Sequence, residues 1–296
     1  PGFRIGDPGE LTLMREDVCD EVLEAFYKER DPRFLRFTDG YSNAKNDRPI
    51  REMILRLYDF SQSYPWPEEW LADCAGQYRA DSVEELEQKP WVEGFLSYLH
   101  VRIRDEISHY REIYQYTLDD DGPRMYAGTV EDDLRQLEGL LGCTHLEEWQ
   151  EKLALIDWKR LPPARKYEGS PEKKEAVTDA RGRLKDQIKD YRKKYFSADV
   201  DEQLEILRRT SEMAEMLVEL TNAFAERFRA EKRKKNMMDF SDVEHCALDI
   251  LVDPSTKEPT ETAAEFRERS AEIMIDEYQD SNYVQEALLT AVSGLP

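Results

Sequence analysis

Three apolar residues, Ile273, Met274 and Ile275, run directly into Asp276, Glu277, Tyr278, Gln279 and Asp280. Carboxylates at the C-terminal end of a buried strand are held rigidly, and hydrolysis of a nucleotide needs such a platform beside the terminal phosphates and Mg²⁺. In that arrangement Asp276 can hold Mg²⁺ through its waters, and Glu277 can orient and deprotonate the attacking water. Gln279 is suited to sensing the γ-phosphate or the water without carrying charge, and Asp280 to anchoring a neighbouring cationic group. An Asp-Glu pair alone says little in a chain with 64 acidic residues, most of which are solvated surface. The information lies in the complete string.

The segment that must position this string, residues 272–275, is the one convincing buried strand in the sequence. Everything before it points to helix: only 13 Gly and 14 Pro occur among 296 residues, and alternating β-branched runs are rare. The class expected is therefore mainly α. Amphipathic spacing predicts helices over 11–27, 48–63, 68–75 and 91–117, the last with Phe95, Leu99, Ile103, Ile107 and Tyr110 on one stripe. Ser82 with Glu85, Thr129 with Asp132, and Thr144 with Glu147 read as N-caps, and Asp239-Phe240-Ser241-Asp242 caps a helix running to about Leu251. A loop at 253–259 and a short helix over 262–270 precede the strand.

Val177, Ala180, Leu184, Ile188, Tyr191 and Tyr195 step by three or four, and so, after Ser197, do Val200, Leu204, Leu207, Ser211, Ala214, Leu217, Thr221, Phe224 and Phe228. This spacing predicts a long antiparallel helical hairpin, whose second arm would reach about 50 Å if unbroken. The same region carries the basic charge. Residues 158–235 hold 21 basic and 15 acidic side chains, a balance of +6, so that a chain of net charge −22 leaves −28 to the remainder. An evenly acidic chain repels a nucleic-acid backbone, whereas Lys159, Arg160, Arg165, Lys166, Arg192, Lys193, Lys194, Lys232, Arg233, Lys234 and Lys235 could meet phosphates. A solvated helix face gives the same composition.

Other chemistries find less support. Cys19, Cys74, Cys143 and Cys246 are far apart, and His100, His109, His145 and His245 form no metal-binding pair, so reduced thiols in a cytoplasmic protein are expected. Asp119-Asp120-Asp121-Gly122-Pro123 lacks the alternating ligands of a calcium loop and reads as a solvated turn. No run approaches the length of a membrane span. The chain opens at Pro1 without an initiator Met and breaks off soon after the Asp-Glu string, which predicts a piece of a longer protein.

The string from Ile273 to Asn282 resembles motif II of the UvrD-like superfamily 1 helicases. Met238-Asp239-Phe240-Ser241-Asp242-Val243-Glu244-His245 is similar to the segment by which those enzymes return to their first RecA-like domain after an inserted helical subdomain. Phe3-Arg4-Ile5-Gly6-Asp7, Leu57-Tyr58-Asp59-Phe60-Ser61 and Pro65-Trp66-Pro67-Glu68-Glu69-Trp70-Leu71 are similar to the AddA component of the AddAB helicase-nucleases of Gram-positive bacteria.

The resemblance implies residues 1–236 as a 1B-type helical insertion and 237–296 as a partial RecA-like α/β motor domain. It implies catalytic roles for Glu277 and Gln279, and nucleotide or Mg²⁺ binding by Asp276 and Asp280. It also implies ATP and Mg²⁺ as cofactors of the intact parent, single-stranded DNA and duplex ends as substrates, 3′ to 5′ movement, and an AddB-type partner in double-strand break processing. The chain contains no GxxxxGK[ST] phosphate loop, so by itself it is expected to bind no nucleotide and to be catalytically silent. Two alternatives stay open at this point. One is a helical scaffold with an accidental Asp-Glu string, and the other a carboxylate-bridged metal hydrolase, which would need ligand pairs that the sequence does not supply.

Overall fold

The computed structural model describes residues 2–42 and 46–293. Its first helix shows how local sequence sets the elements. The carboxylate of Asp7 accepts hydrogen bonds from the backbone N–H groups of Gly9 and Glu10 at 2.9 and 3.3 Å, and Pro8 occupies the first turn. Those N–H groups have no partner inside the helix, so the cap satisfies them, while proline loses nothing there. Proline opens six of the helices in this way: α1 (Pro8–Glu29), α2 (Pro32–Tyr41), α3 (Arg48–Ser61), α4 (Pro67–Gly76), α6 (Pro90–Leu118) and α9 (Pro171–Tyr195). The prolines of this sequence thus mark helix starts more often than breaks.

The remaining elements are α5 (Val83–Glu87), a 3-10 turn Arg124–Tyr126, α7 (Ala127–Leu140), α8 (Leu146–Leu155), α10 (Val200–Lys234), α11 (Phe240–Leu251), α12 (Glu261–Arg269), a 3-10 turn Tyr278–Asp280 and α13 (Tyr283–Ser293). The mainly helical class holds. The described strands are β1 (Arg4–Ile5) and β2 (Met237–Met238), which pair in parallel with Arg4 opposite Met237 and Ile5 opposite Met238. Asn236, in the left-handed region with φ 51°, turns the chain from α10 into β2. Among the described residues no helix is long and apolar enough to cross a membrane.

The chain divides into two compact units, residues 79–208 and residues 1–78 with 209–296. In the first, α6 is the central helix, and α7 and α9 pack along it. Leu99, Ile103, Leu137, Trp149 and Leu184 form its fully covered interior. The second unit has two cores. Phe34, Phe37, Ile50 and Ile54 from α2 and α3 meet Leu220, Phe224 and Phe228 of α10, and a smaller cluster joins Leu248, Val252, Ala263 and Ala291 of α11 to α13.

Three expectations change. Residues 272–275 form no strand: the backbone is extended but unpaired, and Ile273, Met274 and Ile275 are 39%, 89% and 45% exposed. A strand exists only through its neighbours' hydrogen bonds, and none lies alongside. The hairpin does not form a shared seam either. The stripe of α9 is consumed by the core around α6, whereas the stripe of α10 from Met216 to Phe228 belongs to the core of α1–α3. Helical periodicity reports that a face is buried without naming its partner. Finally, Thr129 lies inside α7, and α8 starts one residue later than expected. Its cap is His145, with the Glu148 carboxylate accepting from the N–H groups of both Thr144 and His145.

The turn after α6 is a solvated one closed by ion pairs. Lys173 Nζ reaches Asp119 at 2.7 Å and Asp121 at 2.5 Å, and Gly122 sits where any Cβ would collide with the Tyr116 carbonyl.

Candidate functional site

The Asp276–Asp280 string sits on the loop between α12 and α13, entirely at the surface. Its backbone turns at Glu277, whose φ of 52° and ψ of 38° lie in the left-handed region. For a non-glycine residue this conformation costs of order 1–3 kcal/mol and persists only where the surroundings impose it. Local bonds do so here. The Glu277 N–H donates to Asp276 Oδ1 at 3.0 Å, the Asp280 N–H donates to the Glu277 carbonyl at 2.9 Å, and the Gln279 amide donates to the Glu277 carboxylate. Asp276, Glu277 and Gln279 are thereby brought together on one turn. Asp280 closes that turn through its backbone.

The turn is fixed from its C-terminal side. Asn282 caps α13, its Oδ1 accepting from the Gln285 N–H at 2.8 Å. On α11, Glu244 accepts from Gln285 Nε2 at 2.7 Å and from Asn282 Nδ2 at 3.4 Å. The Val284 N–H donates to the Ser63 carbonyl at 3.2 Å, and Tyr283 stacks on Tyr64, which stacks in turn on Trp70. Tyr278 donates to Glu286 at 2.7 Å, a bond that raises the phenol above its ordinary pKa.

Oxygen donors of this kind suit Mg²⁺, which keeps several waters and binds through one or two carboxylates together with phosphate oxygens. Among the described residues no three His, Cys, Asp or Glu side chains converge into a cage. The residues present therefore fit an ion shared with a phosphate chain better than an ion held by protein alone.

The basic candidates divide between the two units. In residues 79–208, Arg160, Arg165, Lys166 and Lys193 are exposed, Lys159 pairs with Asp132 at 3.0 Å, and Lys194 pairs with Asp190 at 3.9 Å. Arg192 is turned inward, donating to the carbonyls of Leu153 and Ile156, where it closes the end of α8. In the other unit Arg233, Lys234 and Lys235 are exposed, with Lys234 paired to Glu231 at 2.6 Å.

Lys232 departs from the sequence expectation, because its ammonium is buried. It lies 2.8 Å from Asp239 and 2.6 Å from Asp242, with the Phe228 ring 4.4 Å away. Burial works against the Asp239 carboxylate, but donation from Lys232 and from the Asp242 N–H overcomes it and holds the carboxyl below its ordinary range. Neither Lys232 nor Arg192 can present its charge to a phosphate, since internal acceptors have taken the donors.

Sequence spacing also missed a second buried ion pair and the Glu244 contact. Asp133 is fully buried and takes two bonds from Arg181, Nε to Oδ2 at 2.6 Å and Nη2 to Oδ1 at 3.1 Å, plus one from the Tyr110 hydroxyl at 3.0 Å. The one available signal was a charged residue on an otherwise apolar helical stripe: Arg181 follows Ala180 on α9, and Asp133 precedes Leu134 on α7.

A turn of carboxylates and a glutamine following an extended apolar segment, capped at once by a helix, defines a protein of the nucleotide-motif class. Residues 88–295 match the UvrD/REP helicase N-terminal domain, and the chain belongs to that family. Its relatives include the larger, A-type components of ATP-dependent helicase/nucleases. It is 38% identical to the one from Lachnoclostridium phytofermentans, 31% to that of Alkaliphilus oremlandii and 32% to that of Bacillus pumilus, over 99% of its own length in each case. It spans 22% of the first of these relatives and 24% of the other two.

Proposed function

We propose that this chain is the part of an AddA-type, ATP-dependent DNA helicase-nuclease protein that carries motif II, with residues 1–236 a 1B-type helical insertion and residues 237–296 the return into the first RecA-like motor domain. The observation that carries the reading is the Asp276–Asp280 turn, lying inside the segment that matches the helicase family. Two others support it. The parallel pairing of Arg4 with Met237 and Ile5 with Met238 brings the two ends of the proposed insertion side by side, as an insertion into a host domain requires. Phe240, Val243, Ile250, Ile273, Met274 and Ile275 also expose apolar side chains in the return segment, a surface suited to the sheet of a larger α/β domain.

In the intact parent, bound ATP with Mg²⁺ supplies the phosphoanhydride that is cleaved. Asp276 holds the ion through its waters, and Glu277 accepts the proton of the attacking water at its carboxylate. Gln279 hydrogen-bonds the γ-phosphate or that water, and the left-handed turn at Glu277 keeps the three side chains on one edge. Asp280 anchors a neighbouring cation. The parent moves 3′ to 5′ on single-stranded DNA in the cytoplasm and works with an AddB-type partner on duplex ends in break repair. The exposed residues Arg160, Arg165, Lys166, Lys193, Arg233 and Lys235 are the side chains offered to DNA phosphates. The chain alone is catalytically silent, because it carries no phosphate-cradling loop.

The test is a chimera in which this chain replaces the corresponding segment of the Lachnoclostridium relative. DNA-stimulated ATPase is expected in the chimera, and Glu277→Gln should lower kcat by about 10²–10⁴-fold with nucleotide binding retained. A Glu277→Gln chimera that hydrolyses ATP as fast as its parent would overturn the assignment.

A further inference from the structure

Motif II would act through atoms at Asp276, Glu277 and Gln279, yet all three lie on an exposed loop that forms no strand. Something outside the motif must then fix its position. The loop is tethered two residues beyond Asp280, where Asn282 and Gln285 start α13. Both of their side-chain amides point to one carboxylate, Glu244 of α11, with Gln285 Nε2 at 2.7 Å and Asn282 Nδ2 at 3.4 Å. Glu244 is partly buried, and its two oxygens each take one donor, so the contact is bidentate and charge-assisted.

The other end of α11 is equally fixed. Asp239 and Asp242 form a reciprocal cap at its first turn, and both carboxylates grip Lys232 at the end of α10. One short helix therefore carries two ionic anchors on its first turn and, two residues later, the carboxylate that clamps the start of α13.

We propose that Glu244 is the positioning residue of the nucleotide motif, setting the N-terminus of α13 and through it the Tyr278–Asp280 turn. The inference rests on the motif II assignment. Because α11 is also bonded to Lys232, the clamp joins the end of the long α10 helix to the hydrolytic turn through one rigid element. Glu244 touches no nucleotide; it acts by holding Asn282 and Gln285.

The test has two arms. In the 296-residue chain, amide exchange of residues 278–286 should quicken at least tenfold in Glu244→Ala, with exchange in α6 unchanged. In the chimera described above, Glu244→Ala should lower kcat on the order of 10- to 100-fold, while the KM for ATP moves less than about threefold. The swapped pair Glu244→Gln with Gln285→Glu, which restores an amide-carboxylate contact in reverse, should recover most of the lost rate. A purely structural role would lower the melting temperature and the amount of folded enzyme without this split or rescue.

If Glu277→Gln abolishes turnover but Glu244→Ala leaves exchange and kcat unchanged, the positioning role is wrong and the motif assignment stands. If Glu277→Gln is fully active, the assignment itself has failed, and quickened exchange at 278–286 would then show only a local tether.

Discussion

Replacing Asp133 with alanine isolates the largest electrostatic interaction in residues 79–208. In the folded chain the Asp133 carboxylate is fully buried, Arg181 is only 4% exposed, and the two share two hydrogen bonds, at 2.6 and 3.1 Å. Burial of Arg181 works against its charge, but the bonds to Asp133 more than offset this and hold the guanidinium above its ordinary pKa. Arg181 therefore cannot escape Asp133→Ala by losing its proton. The variant leaves a guanidinium inside the core with one remaining acceptor, the Lys159 carbonyl at 2.6 Å. The Tyr110 hydroxyl also loses its acceptor, and burial, followed by the charge of Asp133, holds that phenol well above its ordinary pKa. Breaking such a pair from one side costs about 3–5 kcal/mol. With a urea slope of about 2–3 kcal/mol per molar, the midpoint of unfolding should fall by about 1–2 M. Far-UV circular dichroism follows the transition, and Trp158 fluorescence reports the same unit because the Arg181 guanidinium lies 5.9 Å from its ring. The double variant Asp133→Leu with Arg181→Met removes both charges and should unfold within about 1 kcal/mol of the parent chain, since a buried pair adds little net stability over apolar residues of similar size. If Asp133→Ala costs less than about 1 kcal/mol, or the double variant is as damaged as the single, the ionic account of this core is wrong.

Lys232→Met should cost about 3 kcal/mol by stranding Asp239 and Asp242 at the start of α11. The Asp239 pKa is lowered from its ordinary 3.8 in the folded chain, so its stabilisation is complete above that value and disappears as pH falls through the folded one. The acid limb of the unfolding midpoint below about pH 4 should therefore flatten in this variant. His145 behaves in the opposite sense. Its bond to Glu87, 2.7 Å long, raises it above its ordinary 6.5, so the contribution is fully present below that pH and is lost as pH rises through the folded value. A proton NMR titration of the ring should show a midpoint above 6.5 that drops in Glu87→Gln, and an unchanged midpoint would discount the contact. Glu277→Gln in the chimera tests the hydrolytic role through kcat.

The helices were legible because each is encoded locally. Proline at the first turn, Asp or Ser at the cap and apolar residues three or four apart recur along the chain, and α1, α3, α6 and α11 lie within a few residues of the pattern. The Asp276–Asp280 string was legible for another reason: chemistry that needs carboxylates and an amide in fixed order leaves a linear trace. What the sequence could not decide was partnership. The stripes of α9 and α10 looked like two halves of one seam, yet each found its cover in a different core, since an apolar face is satisfied by any complementary face that topology brings near. Residues 272–275 had the composition of a strand but no ladder to join, because strand structure is a property of neighbouring chains rather than of the segment. Lys232 and Lys234 are identical in type and two residues apart. Only the three-dimensional fold made one a buried anchor and the other a surface charge, by placing Asp239 and Asp242 beside the first and solvent around the second.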